Sequence, residues 1–194
     1  MKVIILAAGQ GSRLGNYTKV LPKALVDING KSLIQRQIDL LRKNDIKKII
    51  VITGFNPEKF NLENVSYIED VNFDKHEQLG SLIVASSELS EDVLVIFGDI
   101  LFHEKIIKQI LSSSDDIAVP IDLNWTKSYE KRIDNPMELA GKVLVKDRKI
   151  IEFSENLPIR KKGYLIGEFL GIIKLKNKGA QILKKYLNEL EKNH

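Results

Sequence analysis

The opening stretch of the chain constrains the fold most strongly, because an apolar run leads there directly into a glycine-rich loop. Val3 to Leu6 are all aliphatic, and a strand without polar residues at alternate positions must be buried on both faces. Strands of this kind lie at the centre of parallel sheets. The stretch therefore predicts a central strand that begins the core of an α/β domain.

The loop that follows has the composition of a phosphate site. Gly9 and Gly11 free the backbone to turn and to present N–H groups to an anion. Ser12 is a candidate helix N-cap, and the forked guanidinium of Arg13 can bind phosphate oxygens. Lys23 follows ten residues later, directly after a proline. These features together predict a site for a triphosphate or for its pyrophosphate leaving group.

Two commoner glycine motifs match poorly. A dinucleotide fingerprint would need glycine at Leu14, and the next apolar strand ends at Thr53-Gly54 without an acidic residue. A Walker loop ending at Gly30-Lys31-Ser32 would need glycine at Leu25. Asn29-Gly30 is better interpreted as a tight turn.

The elements that follow alternate between helix and strand. The spacing of Leu33 to Lys43 predicts an amphipathic helix, and Lys48 to Thr53 is again apolar enough for a buried strand. Strand, helix and strand form a right-handed parallel βαβ unit. Asp92 to Phe97 predicts a third buried strand ending in Gly98-Asp99. Since ligands of open α/β sheets bind at the carboxyl ends of strands, Asp99 is a candidate Mg²⁺ ligand, with an N-cap or turn role as the alternative.

The later elements are predicted from shorter patterns. A helix begins near His76 and runs to about Glu88; within it Gln78 could read a base edge and Gly80 could admit the backbone, or both could be ordinary surface and turn residues. The other predicted elements are a helix from Glu104 to Leu111, a strand from Ile117 to Ile121, a hairpin of Lys142 to Val145 and Lys149 to Phe153, a strand from Gly167 to Leu175 and a helix from Gly179 to Lys192.

Residues 122–137 form an irregular segment that contains the single tryptophan, Trp125. Aromatic rings beside cations can enclose a small acceptor that is anionic at one end. A packing role for Trp125 is an equally good interpretation.

Composition narrows the class of protein. A chain of 194 residues predicts a single domain, 1–194. It has no cysteine, and its three histidines are scattered, so a catalytic metal would need oxygen ligands. The net charge of +4 combines 30 basic with 26 acidic residues, and aromatic residues make up 7%, which disfavours a nucleic-acid partner. No apolar run is long enough for a membrane span, so a cytoplasmic location is expected.

The strings LAAGQGSRLG and KVLPKALVDINGKSLIQRQIDLL resemble the sugar-phosphate and phosphocholine nucleotidylyltransferase superfamily, whose signature is L-A-A-G-x-G-[ST]-R followed by P-K. The resemblance implies the nucleotide-diphospho-sugar transferase fold, a three-layer, Rossmann-like, mostly parallel mixed sheet flanked by helices, here with a small β-hairpin insertion. It implies a nucleotide-binding half, 1–121, and an acceptor-side half, 122–194. The strings GEFLGIIKL and D-x-x-W resemble the phosphonate and phosphocholine cytidylyltransferase branch.

The activity implied is transfer of NMP, with CMP favoured, from an NTP to a small molecule that bears a phosphate or phosphonate. The alternatives are a sugar-1-phosphate nucleotidylyltransferase using UTP, GTP or dTTP, and a non-catalytic nucleotide-binding relative. Arg13 and Lys23 would be catalytic, Asp99 would bind Mg²⁺, and self-association into a homodimer is expected. The nucleotide would contact Leu6, Ala7, Ala8, Gly9, Gly11, Ser12, Arg13, Lys23, Gln78 and Gly80. The acceptor would contact Asp122, Trp125, Arg132, Glu168 and Lys174.

The resemblance also implies a further strand, with a second acidic metal-binding position, after the last predicted helix. The sequence ends at His194 without such a segment. The second acidic group is therefore expected from elsewhere, or from a longer chain, or the protein is not fully active.

Overall fold

The computed structural model describes residues 1–130, Arg132 and residues 136–193, with the side chains of Arg13, Asn16, Tyr17 and Asn193 left undescribed. The strands are β1 (Lys2–Leu6), β2 (Lys48–Thr53), β3 (Ser66–Glu69), β4 (Val93–Phe97), β5 (Ile117–Ala118), β6 (Ile121–Asp122), β7 (Lys142–Lys146), β8 (Lys149–Ser154), β9 (Leu165–Phe169) and β10 (Ile172–Leu175). The helices are α1 (Leu33–Lys43), α2 (Gln78–Val84), α3 (Glu104–Ser112), α4 (Thr126–Tyr129) and α5 (Asn177–Asn193).

The chain forms two compact units, which differ from the predicted halves. The first contains Met1–Ala118 and Ile172–His194, and the second contains Val119–Gly171. The second unit begins close to the predicted start of the acceptor-side half, but the last strand and helix belong to the first unit.

The first unit is built on a six-stranded sheet in the order β3-β2-β1-β4-β10-β5. β1, β2, β3 and β4 are parallel, while β10 is antiparallel to β4 and to β5. Every residue of β1 is buried, because helices cover both faces of a sheet whose strands are joined by helical crossovers. The predicted α/β fold with a mixed, mostly parallel sheet is confirmed.

Helix α1 has the predicted boundaries. Ser32 caps its first turn by accepting a hydrogen bond from the Gln35 N–H at 3.3 Å. Its apolar residues repeat at helical spacing and bury one face against β1 and β2; they are Leu33, Ile34, Ile38 and Leu41. Packing of this stripe fixes α1 on the sheet.

The second unit is a four-stranded antiparallel sheet in the order β6-β9-β7-β8. Its predicted hairpin is confirmed, with β7 and β8 joined through Asp147 and Arg148. These two residues have φ of 48° and 63°, the left-handed pair expected of a type I′ turn.

Two predicted strands were wrong because each is divided between the units. The run from Ile117 to Ile121 separates into β5 and β6, and the run from Gly167 to Leu175 separates into β9 and β10. Pro120 interrupts the first run because it has no N–H to donate to a sheet, and its carbonyl accepts from Leu170 N at 3.3 Å. An apolar run does not reveal which sheet its residues join.

The predicted helix from His76 to Glu88 is also shorter than expected. It consists of α2 and a separate 3₁₀ turn, Ser86–Glu88. His76 lies before α2, in the turn that follows β3.

Candidate functional site

The first unit presents its candidate site at the carboxyl ends of β1, β2 and β4. Ala7 N donates to Ile52 O at 2.9 Å, and Gly98 N donates to Leu6 O at 2.8 Å. A side chain at Gly98 would bring a Cβ within 2.8 Å of the same Leu6 oxygen. Glycine therefore lets the end of β4 approach β1, which places Asp99 beside the loop that follows β1.

The loop is held in a conformation that leaves its amides available. Gly11 has φ 76°, and its carbonyl accepts from the buried Thr18 hydroxyl at 2.7 Å. The N–H groups of Gly9, Gln10 and Gly11 have no hydrogen-bond acceptor among the described residues. Three consecutive amides without acceptors are suited to binding an anion.

Lys23 is fixed against this loop. It begins a short 3₁₀ turn directly after Pro22, and a Cβ added at Gly11 would lie 2.7 Å from Lys23 Cβ. The side-chain stem of the lysine therefore packs on Gly11, and only a residue without a side chain leaves room for it.

Lys23 and Asp99, two residues 76 positions apart in the chain, meet in an ion pair. Lys23 Nζ lies 2.6 Å from Asp99 Oδ2, and the side chains are 31% and 36% exposed. Ion pairs this accessible to solvent stabilise a fold by less than about 1 kcal/mol. Each group can therefore exchange its partner for the charge of a ligand at little cost to folding.

The other predicted nucleotide-binding residues of the first segment differ in their exposure to solvent. Leu6, Ala7 and Ala8 are buried, whereas Gly9 and Ser12 are exposed. The side chain of Arg13 lies outside the described residues, so its predicted role stays a prediction.

Two more predicted nucleotide-binding residues lie on helix α2. Gln78 is exposed at the first residue of the helix. Gly80 packs against the ring of His76. The contact between Gly80 and His76 was not predicted from the sequence.

Asp99 is the candidate metal ligand, and the residues around it fit a cation held mainly by its substrate. In the described part of the chain, no three histidine or acidic residues converge on one point. The Asp99 carboxylate is partly exposed, and only its Oδ2 atom is engaged by Lys23. Mg²⁺ is commonly bound by one or two carboxylates together with substrate phosphates and water, so a single carboxylate beside a phosphate loop is compatible with it.

The second unit brings together four of the residues predicted to bind an acceptor. Asp122 and Glu168 are register partners of β6 and β9. The Tyr129 hydroxyl donates to the Glu168 carboxylate, and the Arg132 guanidinium carbon lies 4.1 Å from the centre of the Tyr129 ring. The Trp125 ring meets the same tyrosine edge-on, with the centroids 5.7 Å apart.

Tyr129 thus connects the cluster, although the sequence analysis did not select it as a site residue. Burial and the hydrogen bond to Glu168 raise the pKa of Tyr129 to about 12. The phenol therefore stays protonated and can donate to Glu168 at neutral pH. Its spacing of four residues from Trp125 was the available signal, because this spacing brings side chains together on a helical turn.

Lys174 was predicted to face the acceptor, and the structure contradicts this placement. It is 3% exposed, and its ammonium donates to the Leu111 and Ser113 carbonyls at 2.9 and 2.7 Å. These carbonyls lie at the carboxyl end of α3. A cation there donates hydrogen bonds to carbonyls that have no partner within the helix, and it interacts favourably with the negative end of the helix dipole. Lys174 therefore stabilises the first unit.

A cavity of about 590 Å³ lies within the second unit. It is lined by Trp125 and Tyr164 and by the consecutive cations Arg160, Lys161 and Lys162. Lys161 Nζ lies 4.9 Å from the centre of the Tyr164 ring. The cavity combines aromatic walls with positive charge, a combination suited to a small anion that carries an organic group.

Comparison with known proteins decides the family. The model of the MobA-like NTP transferase domain matches residues 3–146. The chain belongs to this family. The match covers β1, the glycine loop, the Lys23–Asp99 pair and the first part of the second unit, so the glycine loop and the ion pair lie within the MobA-like NTP transferase domain.

Relatives with assigned names are similar to this chain at moderate identity. The CTP:phosphoglutamine cytidylyltransferase of Campylobacter jejuni is 27% identical over 80% of this chain and 66% of its own length. The choline-phosphate cytidylyltransferase of Streptococcus pneumoniae is 29% identical over 100% of this chain and 90% of its own. A bifunctional sugar-1-phosphate nucleotidylyltransferase/acetyltransferase of Sulfurisphaera tokodaii is 30% identical over 100% of this chain and 49% of its own. The chain thus spans about two thirds of the length of the relative from Campylobacter jejuni and about half of the length of the relative from Sulfurisphaera tokodaii.

A solved structure supports the fold. The CTP:phosphocholine cytidylyltransferase of Streptococcus pneumoniae superposes with a TM-score of 0.65 at 22% identity, covering 99% of this chain and 78% of that one. The predicted nucleotidyltransferase fold is confirmed. No helix in the described part of this MobA-like NTP transferase is both long and apolar enough to span a membrane.

Proposed function

We propose that this chain transfers a nucleotidyl group, CMP in preference, from an NTP to a small molecule that bears a phosphate or phosphonate, with release of pyrophosphate. The observation that carries the proposal is the 2.6 Å pair of Lys23 and Asp99 beside three amides without acceptors. Cation, carboxylate and amides are the groups that a triphosphate and its metal ion require. The preference for CTP is supported by the names of the two cytidylyltransferase relatives.

In the proposed reaction, an anionic oxygen of the acceptor attacks the α-phosphorus while the bond from that phosphorus to the bridging oxygen of the β-phosphate breaks. The pyrophosphate departs with the electrons of that bond. The attacking oxygen already carries negative charge, so no protein base has to remove a proton. The task of the protein is to align two anions that repel each other and to stabilise the developing charge.

Each residue of the first unit has a proposed part in this reaction. The amides of the Gly9 to Ser12 segment hold the β- and γ-phosphates, with the predicted contact from Arg13. Lys23 contributes its charge at the α-phosphate, where charge increases in the transition state. Asp99 would hold Mg²⁺, which when bound neutralises phosphate charge.

We propose that the second unit binds the acceptor. Its cavity carries Arg160, Lys161 and Lys162 beside Trp125, and this charge suits a phosphate or phosphonate. The cluster of Asp122, Trp125, Tyr129, Arg132 and Glu168 supplies two carboxylates for the other end of the acceptor, which can be polar or cationic. Lys174 is not part of this proposal.

Tyr129→Phe tests the acceptor assignment. The change removes the hydroxyl that orients Glu168. Because Glu168 then loses its proposed contact with the acceptor, we expect the KM for the acceptor to rise about tenfold, the value of one hydrogen bond to a charged group, while the KM for NTP stays within about twofold. Tyr186→Phe is the matched control, because Tyr186 is 61% exposed in the first unit. Steady-state kinetics at saturating NTP measure both values. A rise in the KM for NTP instead would contradict the assignment.

The proposed function itself is tested with a panel of substrates. Pyrophosphate release is measured with CTP, UTP, GTP and dTTP, each against choline phosphate, an aminoalkylphosphonate and hexose 1-phosphates. Release with CTP and a phosphate or phosphonate ester supports the proposal. Release only with a hexose 1-phosphate favours the second candidate, a sugar-1-phosphate nucleotidylyltransferase, which the relative from Sulfurisphaera tokodaii supports. NTP binding without release under any condition would indicate a non-catalytic relative.

A further inference from the structure

A buried carboxylate beside the candidate site has no part in the proposed reaction. Asp70 is completely buried, and its oxygens accept from the Asn72 N–H at 3.1 Å and from the Ser81 hydroxyl at 2.8 Å. His76 Nδ1 lies 2.9 and 3.1 Å from the two oxygens of the same group. A buried carboxylate must be satisfied by such donors, and these contacts fix the orientation of the His76 ring.

The same contacts determine which ring nitrogen carries the proton. An ionised carboxylate can only accept hydrogen bonds, so Nδ1 must donate. In the neutral imidazole the other nitrogen, Nε2, is then an acceptor. The His76 side chain is 30% exposed, and Nε2 has no hydrogen-bond partner in the described part of the chain. In the neutral ring, Nε2 is therefore an oriented acceptor on a partly exposed side chain.

The segment that carries His76 lies at the edge of the sheet where the phosphate loop begins. Asp70 N donates to Thr53 O at the end of β2, at 2.7 Å. A Cβ added at Gly54 would lie 2.5 Å from Phe73 Cβ and 2.9 Å from Ala8 Cβ. The segment that carries His76 is thus packed on the residue that precedes Gly9 of the phosphate loop.

Gly80 also restricts the His76 ring. A Cβ at this position would lie 2.7 Å from His76 Cγ, so the imidazole packs directly on the backbone of α2. The buried carboxylate and this close contact leave the ring little freedom to rotate. An acceptor held this rigidly can discriminate between ligands. A ligand without a donor at that position leaves the acceptor unpaired and binds more weakly.

We propose that His76 is a specificity-determining residue whose Nε2 accepts a hydrogen bond from the exocyclic amino group of the base. The inference rests on the proposed nucleotide site. Cytosine carries an amino group where uracil carries a carbonyl oxygen, and an oxygen facing Nε2 would place two acceptors together. The site would therefore select an amino-bearing base over its oxo counterpart.

The first test compares the Kd values for CTP and UTP. The wild-type protein should bind CTP at least tenfold more tightly than UTP. His76→Asn keeps an amide donor near the position of Nδ1 but removes Nε2, so it should bind CTP about tenfold more weakly and reduce the CTP:UTP ratio to within twofold. His76→Gln places an amide oxygen near the position of Nε2 and should retain part of the ratio.

Calorimetry at equal Mg²⁺ concentration measures these values. The matched control is His103→Asn, because His103 is the N-cap of α3 and does not belong to the segment that contains Asp70 and His76. An unchanged ratio in His76→Asn, or a wild-type preference for UTP, would overturn the inference and leave the proposed transfer intact. Failure of the wild-type protein to bind any NTP would overturn both.

A second readout does not depend on activity. The chain has only three histidines, so their ring nitrogens can be resolved by ¹⁵N NMR and assigned with the His76→Asn variant. At pH 8, His76 should show a protonated Nδ1 and an unprotonated Nε2, and CTP should shift the Nε2 resonance more than UTP does. A protonated Nε2, or an Nε2 resonance unaffected by CTP, would overturn the inference.

Discussion

Lys23→Ala is expected to lower the kcat for pyrophosphate release by about 100- to 1000-fold, the loss typical of removing one group that stabilises transition-state charge. The Kd for NTP should rise less than about tenfold, because the ammonium acts mainly on charge that develops during transfer. The free energy of unfolding should change by less than about 1 kcal/mol, because the partner side chains of the Lys23–Asp99 pair are 31% and 36% exposed. Single-turnover kinetics and denaturant unfolding measure these quantities.

Lys19→Ala is the matched control, because Lys19 is an exposed lysine of the same segment without a partner in the described structure. It should leave kcat within about twofold of wild type. Equal losses of kcat in the two variants would indicate a general effect of charge. An unchanged kcat in Lys23→Ala would remove Lys23 from the proposed reaction.

Asp99→Ala is expected to weaken NTP binding only when Mg²⁺ is present. In the absence of Mg²⁺, NTP should bind as tightly as to wild type or more tightly, because a negative charge has been removed from an anion site and Lys23 is released. In the presence of Mg²⁺, the increase in affinity that the wild-type protein gains from the metal should be lost, at least tenfold. Calorimetric titration with NTP at both conditions measures the difference.

Glu58→Ala provides the control for a simple change of charge, because Glu58 is exposed on the turn Pro57–Lys59. The increase in NTP affinity that Mg²⁺ gives should be the same in Glu58→Ala as in the wild-type protein. A full Mg²⁺-dependent gain of affinity in Asp99→Ala would show that Asp99 is not the metal ligand.

The core of the first unit could be predicted because its signals are local. The aliphatic runs of β1, β2 and β4, and the stripe with its serine cap in α1, each identify an element without knowledge of its neighbours. The division of the chain into two units is different. It depends on which sheet a short apolar run joins after Pro120, and this choice is made by tertiary packing.

The part of the candidate site that could be predicted is the part whose residues lie close together in the sequence or directly after a recognisable strand. The glycine loop and Lys23 lie in one short stretch of the sequence, and Asp99 follows an aliphatic run that predicts a buried strand. The contacts of Asp70, His76 and Ser81 could not be deduced, because none of these residues belongs to a periodic pattern. Lys174 was misplaced because a buried lysine that caps a distant helix looks in sequence like a polar residue on a half-exposed strand.

The most direct test of the central claim follows the α-phosphate. The protein is incubated with Mg²⁺, CTP labelled with ³²P at the α-position and choline phosphate, or whichever acceptor the panel selects, and the products are separated. The account predicts that the label enters an organic product linked to the acceptor, with one unlabelled pyrophosphate formed for each labelled product. Label recovered only as CMP, or as CDP with transfer of the γ-phosphate, would contradict it.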